Sequence, residues 1–179
     1  MNSTSRKLAV ITAVFAMTAA IATAQAPASK ATNPDQKFVT EAAGGGAAEV
    51  ELGKLATEHA SNPDVKSFGQ RMVDDHSKAG NELKQLATTK NISLPTDLDS
   101  KDKALYDRLM KLQGAAFDRA YMDAMVKDHE KDIEAFGTES NEGHDPEVKA
   151  WATKALPTLE EHLRMARSTD KAVGTAGKK

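Results

Sequence analysis

Asn62-Pro63-Asp64-Val65-Lys66-Ser67-Phe68-Gly69-Gln70-Arg71-Met72-Val73-Asp74-Asp75-His76 opens one long helix and sets the pattern for three others. Asn62 can cap the helix. Pro63 suits the first helical position, where an N–H would have no partner, and Asp64 favours the positive end of the dipole. From Val65 the apolar positions recur every three or four residues, through Phe68, Met72, Ala79, Leu83 and Leu86. This is the inward face of an amphipathic helix running to about Lys90. His76 interrupts that face where leucine or alanine would be ordinary.

Upstream, a helix over about 35–60 carries the seam Phe38, Ala42, Gly45, Glu49, Leu52, Ala56 and His59. Gly44-Gly45-Gly46 weakens it, each interior glycine costing about 1 kcal/mol relative to alanine. The triplet marks either a close helix approach or a kink. The short linker at Ser61–Asp64 makes these two helices an antiparallel hairpin. Downstream, residues 91–100 read as a loop and 101–112 as a short helix with Leu105, Leu109 and Leu112. Gly114 separates that helix from a long one ending near Ser140, with the seam Phe117, Tyr121, Met125, His129, Ile133 and Phe136. After a turn at Asn141–His144, Asp145-Pro146-Glu147 repeats the cap-proline-acid start. The last helix carries Val148, Ala152, Ala155, Leu159, His162 and Ala166, with Trp151 beside the seam. Pro63-Asp64-Val65-Lys66-Ser67-Phe68 also matches Pro146-Glu147-Val148-Lys149-Ala150-Trp151, so the two hairpins are approximate copies. The chain reads as all-α, an antiparallel four-helix bundle with a short extra helix between its second and third long helices. The order of connections stays open, either up-down-up-down or a longer crossover through 91–113.

Arg6 and Lys7, the uncharged run Leu8–Ile21 and the small-x-small site Ala22-Thr23-Ala24 read as a secretory signal peptide over 1–24. The run is too short and alanine-rich for a convincing membrane span. A flexible leader is expected over 25–35, the bundle over 36–168 and a disordered tail over 169–179. The mature chain is thus expected in the periplasm or outside the cell. Removing Arg6 and Lys7 takes the formal charge from −2 to −4. A mildly acidic chain without a basic patch is a poor nucleic-acid binder. With no cysteine in 179 residues, the helical core must hold the fold without disulfides.

Four-helix bundles build metal sites from inward carboxylates and histidines on facing helices. Each long helix of this chain places one such residue on its seam: Glu49, His76, His129 and His162. Counting from the turns puts Glu49 and His76 level, but offsets His129 from His162 by roughly 7 Å at 1.5 Å per residue. Distortion at Pro157 is one way to absorb that offset. The same four residues also suit a metal-free polar network, with Glu49 accepting protons from two imidazoles. Glutamate with imidazole suits zinc(II), iron or copper(II). Met72, Met125 and Met165 share faces with the histidines and would favour copper(I), although methionine is a common core filler. Asp75, Asp128 and Glu161 each precede a seam histidine. Adjacent helical residues point about 100° apart, so all three are expected to be solvated. Asp132 is the expected acceptor for the second nitrogen of His129. No nucleophile–base pair or phosphate loop stands out, so no reaction is assigned. Any activity would be metal-dependent redox.

Ala47-Ala48-Glu49, Leu52-Gly53-Lys54-Leu55-Ala56, Arg71-Met72-Val73-Asp74-Asp75-His76, Gly114-Ala115-Ala116-Phe117-Asp118-Arg119-Ala120-Tyr121-Met122, Asp128-His129-Glu130-Lys131 and Leu156-Pro157-Thr158-Leu159-Glu160-Glu161-His162 occur in this order. Together they resemble the exported bacterial family called domain of unknown function 4142, whose members often carry an outer-membrane label. The resemblance covers about 36–168 and implies a ferritin-like four-helix bundle in the periplasm or outside the cell. It implies no established activity. Val73 and Leu159 stand where di-iron ferritins have the glutamate of Glu-x-x-His, so no ferroxidase expectation follows. Two functional readings remain. One is an exported bundle binding zinc, copper or iron in a sequestering or stress-protective role. The other is a metal-free envelope-stress or interaction module that holds an envelope protein partner.

Overall fold

Each of the four seams forms a helix in the computed structural model, which describes residues 33–176. The signal peptide expected over 1–24 and most of the leader lie outside the described residues. The helices are α1 (Asn33–His59), α2 (Pro63–Lys90), the short α3 (Ser100–Leu109), α4 (Gly114–Glu142) and α5 (Pro146–Ala176). No strand occurs among the described residues. Local chemistry sets the ends. Asn62 Oδ1 accepts from the Asp64 N–H at 2.7 Å and caps α2. Asn91, at φ 56°, closes it in the left-handed conformation that asparagine tolerates. Asp99 caps α3 through the Asp102 N–H at 2.8 Å. α4 opens on Gly114 at φ +59°, where a side chain would be strained.

The bundle is two antiparallel hairpins, α1 on α2 and α4 on α5, joined by lighter contacts of α1 with α4 and α2 with α5. Two buried carboxylates show how the hairpins are stacked. Asp118 of α4 accepts from the Ser61 N–H (3.0 Å), the Ser61 hydroxyl (2.6 Å) and the Asn62 N–H (3.1 Å). The start of α4 therefore sits at the α1–α2 turn. At the other end Asp35 accepts from the His144 and Asp145 N–H groups at 3.0 and 3.1 Å. Lys90 Nζ also reaches Asp145 at 2.8 Å there. So α2 and α4 run parallel, and the connection over 91–113 returns along the bundle. The longer crossover is the topology formed, and every neighbouring long pair is antiparallel.

Three expectations are corrected. The disordered tail over 169–179 is helical as far as Ala176, because Val173 (4% exposed) packs into the core and carries α5 onward. The leader ends sooner than expected: residues 33–35 belong to α1, anchored by the buried Asp35. The glycine triplet neither breaks α1 nor admits a close helix. A Cβ on Gly45 would meet nothing within 4 Å. The close approach lies at Gly53 and Gly69 instead. A Cβ on Gly69 would stand 2.7 Å from Ala56 Cβ and 2.8 Å from the Gly53 carbonyl.

The apolar core falls into two clusters. One holds Leu52, Phe68, Met72, Tyr121 and Met125; the other holds Phe38, Leu83, Phe136, Val148 and Leu159. Along every long helix, the seam residue between the two clusters is the polar one. No described helix is long and apolar enough to cross a membrane.

Candidate metal centre

All four seam residues meet in the layer between the two apolar clusters. Glu49 is 1% exposed, His76 8%, and His129 and His162 0%. The ring centroids lie 6.0 Å apart for His76–His129, 5.4 Å for His76–His162 and 5.3 Å for His129–His162. The expected offset of His162 is absent, and α5 passes through Pro157 as one helix. The helix ends explain why. Glu49 lies ten residues before the end of α1 and His76 thirteen after the start of α2. His129 lies thirteen before the end of α4 and His162 sixteen after the start of α5. Both hairpins thus carry the same difference of three, so their polar pairs fall level with one another.

One ring nitrogen from each histidine lies within 4.8 Å of the other two. Tetrahedral zinc with bonds of about 2.0–2.1 Å holds its donors roughly 3.3 Å apart, so small side-chain rotations would close the set on an ion. Glu49 completes it. Its Oε2 lies 2.5 Å from His76 Nε2 and its Oε1 3.3 Å from His129 Nδ1. These are ion-pair distances off the N–H line. Glu49 Oε1 and Oε2, His76 Nε2, His129 Nε2 and His162 Nδ1 are all buried without a hydrogen-bond partner. An unpaired buried polar atom costs about 1–3 kcal/mol. Glu49 and His76 at least form an ion pair, whereas His129 Nε2 and His162 Nδ1 have no partner at all, and a cation would satisfy both.

The opposite ring nitrogens fix the tautomers. His129 Nδ1 donates to the Met125 carbonyl at 3.0 Å, which leaves Nε2 as the free donor atom of the neutral ring. His162 Nε2 donates to Asp75 Oδ2 at 2.8 Å, which leaves Nδ1 free. Asp75 is held in turn by Arg71 Nε at 2.6 Å. A carboxylate or carbonyl behind a ligating imidazole is the usual second layer of a metal site. Two further expectations are corrected. Asp75 is not merely solvated: it accepts from His162 on α5. Asp132 has no hydrogen bond to His129, whose Nδ1 takes the Met125 carbonyl one turn back.

Electrostatics prepares the layer for a cation. Burial alone would raise the Glu49 pKa, but His76 and His129 more than reverse this and it falls to about 2. Burial pushes His76 down, and the Glu49 charge beside it wins and raises its pKa. Burial, with His76 and His129 nearby, takes His162 down to about 4 despite its bond to Asp75. Glu49 is therefore ionised and His162 neutral at pH 7. Asp132 goes the other way, to about 8, through burial and the charges of Glu49 and Asp128. Met72 and Met125 are buried in the apolar cluster, the ordinary place of a core methionine.

The geometry defines an all-α bundle with a buried carboxylate–imidazole layer. The chain belongs to the family described as a domain of unknown function, DUF4142, whose model matches residues 20–169. Among solved structures it is similar to the crystal structure of a DUF305 fragment from Deinococcus radiodurans. The TM-score is 0.70 at 14% identity, over 82% of this chain and 99% of that one, a likeness of fold alone. No curated protein matches the chain.

Proposed function

We propose that this is an exported helical bundle that holds one transition-metal ion through His76, His129, His162 and Glu49 and sequesters it outside the cytoplasm. The observation that carries the reading is the set of buried donors without hydrogen bonds, two of which have their tautomers fixed from behind. Three neutral nitrogens and one carboxylate match zinc(II), copper(II) or iron(II). An ion there would supply the positive charge that Glu49 now finds in the histidines around it, His76 first. The export step rests on residues 6–24 of the sequence. Zinc, copper and iron titrations of chelator-stripped protein test the reading. One ion should bind more tightly than micromolar, and the double variant His76→Ala/His129→Ala should lose it. No such binding, or equal binding in the double variant, refutes it.

A metal-free module has one observation in its favour, the short Glu49–His76 ion pair. On that reading His76→Ala lowers the melting temperature and leaves every metal affinity unchanged.

A further inference from the structure

Two of the three imidazoles in the polar layer have an acceptor behind them: the Met125 carbonyl for His129 and Asp75 for His162. His76 has none. Its Nε2 turns to Glu49. Its Nδ1 has no hydrogen bond to any described residue, although the side chain is only 9% exposed. An ion on Nε2 leaves the proton of the neutral ring on Nδ1. A ligating imidazole almost always passes that N–H to a carboxylate, a carbonyl or a water.

Nδ1 borders a half-open cavity of about 150 Å³ lined by all four long helices. On the α1 side a Cβ on Gly46 would stand 3.8 Å from Nδ1, and one on Gly45 would meet nothing within 4 Å. These two glycines cost helix propensity and admit no neighbouring helix, so their structural effect is access to His76. Phe136 and Trp151, with ring centroids 5.4 Å apart, supply an aromatic wall. The volume has room for at least a benzene ring. The lining carboxylates are already answered. Asp75 is paired with Arg71 and Glu82 with Lys154, at 2.6 and 2.8 Å. Asp132, with its pKa raised to about 8 by burial and the charges of Glu49 and Asp128, stays largely protonated at pH 7. Lys78, on the exposed rim, has no ion pair among the described residues. A spare N–H donor and a spare cation thus stand beside an apolar wall.

We infer that this cavity binds a small carboxylate with an aromatic body, and that its carboxylate accepts from His76 Nδ1 as the missing outer partner of the metal layer. The inference rests on the metal reading above, which places the proton on Nδ1. Ion and ligand then favour each other. A partner behind a ligating imidazole is worth about 10–100-fold in metal affinity, and such coupling is reciprocal.

Trp151 is the single tryptophan of the chain, so its fluorescence reports on the cavity. Benzoate is the probe, at pH 7, on protein whose zinc loading is measured by elemental analysis. It should change the fluorescence saturably, bind about tenfold or more tighter to the zinc-loaded than to the stripped protein, and raise zinc affinity by the same factor. Benzylamine, with the same ring and the opposite charge, should not bind. Gly46→Leu brings a Cβ into ordinary contact with Nδ1 and adds bulk beside it, so it should load zinc equally and bind benzoate about tenfold or more weaker. If that variant fails to load zinc, Gly45→Leu is read in its place. Loaded protein that ignores benzoate overturns the inference and leaves the metal reading intact. So does equal benzoate affinity with and without zinc, benzylamine binding as well as benzoate, or a glycine variant binding benzoate as the parent does. A zinc-loaded crystal at saturating benzoate with water alone on Nδ1 also overturns it. Failure of the parent to load zinc refutes the metal reading, and the inference falls with it.

Discussion

Asp75→Ala separates metal affinity from stability. Asp75 accepts from His162 Nε2 at 2.8 Å and is steadied by Arg71 at 2.6 Å. Without it, either nitrogen of His162 can carry the proton, and the ring loses the partner that sets its orientation and basicity. Such partners are worth about 10–100-fold in metal affinity, or about 1.4–2.8 kcal/mol. The Asp75 side chain is 30% exposed, so water screens its charge and the lower end applies. We expect about a tenfold loss of zinc affinity. The metal-free protein loses one partly exposed hydrogen bond, about 1 kcal/mol or less, and a few degrees in melting temperature. Asp75→Asn keeps an acceptor oxygen and should fall between the two. Competition against a chromophoric chelator gives the affinity, and stoichiometry should stay at one ion. Zinc affinity within twofold of the parent would show that Asp75 does not act through His162 on a metal.

Zinc uptake at pH 6 should release at least about one proton per ion, because the ion displaces the proton that Glu49 holds on His76, whose pKa is raised above 6.5, while His162 is already neutral. Calorimetry in buffers of different ionisation enthalpy counts that proton, and none released would contradict a protonated His76 beside an ionised Glu49. Asp132 has a folded pKa of about 8 against 3.8 when free, so the folded state holds its proton across that window and loses stability as pH rises through it. Asp132→Asn should therefore raise the metal-free melting temperature more at pH 8 than at pH 5; an equal effect at both would refute the shift. Gly69→Ala drives a Cβ into Ala56 and the Gly53 carbonyl, and should cost about 1–3 kcal/mol by urea unfolding. An unchanged midpoint would mean that α1 and α2 separate freely there.

The four seams were readable because three-and-four spacing is a property of each helix alone. Phe68, Met72, Tyr121, Met125 and Leu159 are all buried as that spacing requires. Relations between helices were harder to see. Asp75 looked solvent-facing when measured against His76, its neighbour, since nothing in the periodicity of α2 says what α5 places opposite. Asp118 and Asp35 decide the topology, yet each is a single acid whose partner is a turn 57 or about 110 residues away. Val173 did leave a trace, seven positions after the buried Ala166, but Ser168-Thr169-Asp170 between them read as the start of a tail. An offset at His162 exists only for levels measured from mid-turn; measured from the helix ends, the two hairpins agree.

The most direct measurement is a crystal structure of the zinc-soaked protein with anomalous data at the zinc edge. One buried ion is expected, bonded by His129 Nε2 and His162 Nδ1 at about 2.0–2.1 Å, with His76 and Glu49 in the same coordination shell. An anomalous peak confined to surface carboxylates, with water bridging those two nitrogens instead, would contradict it.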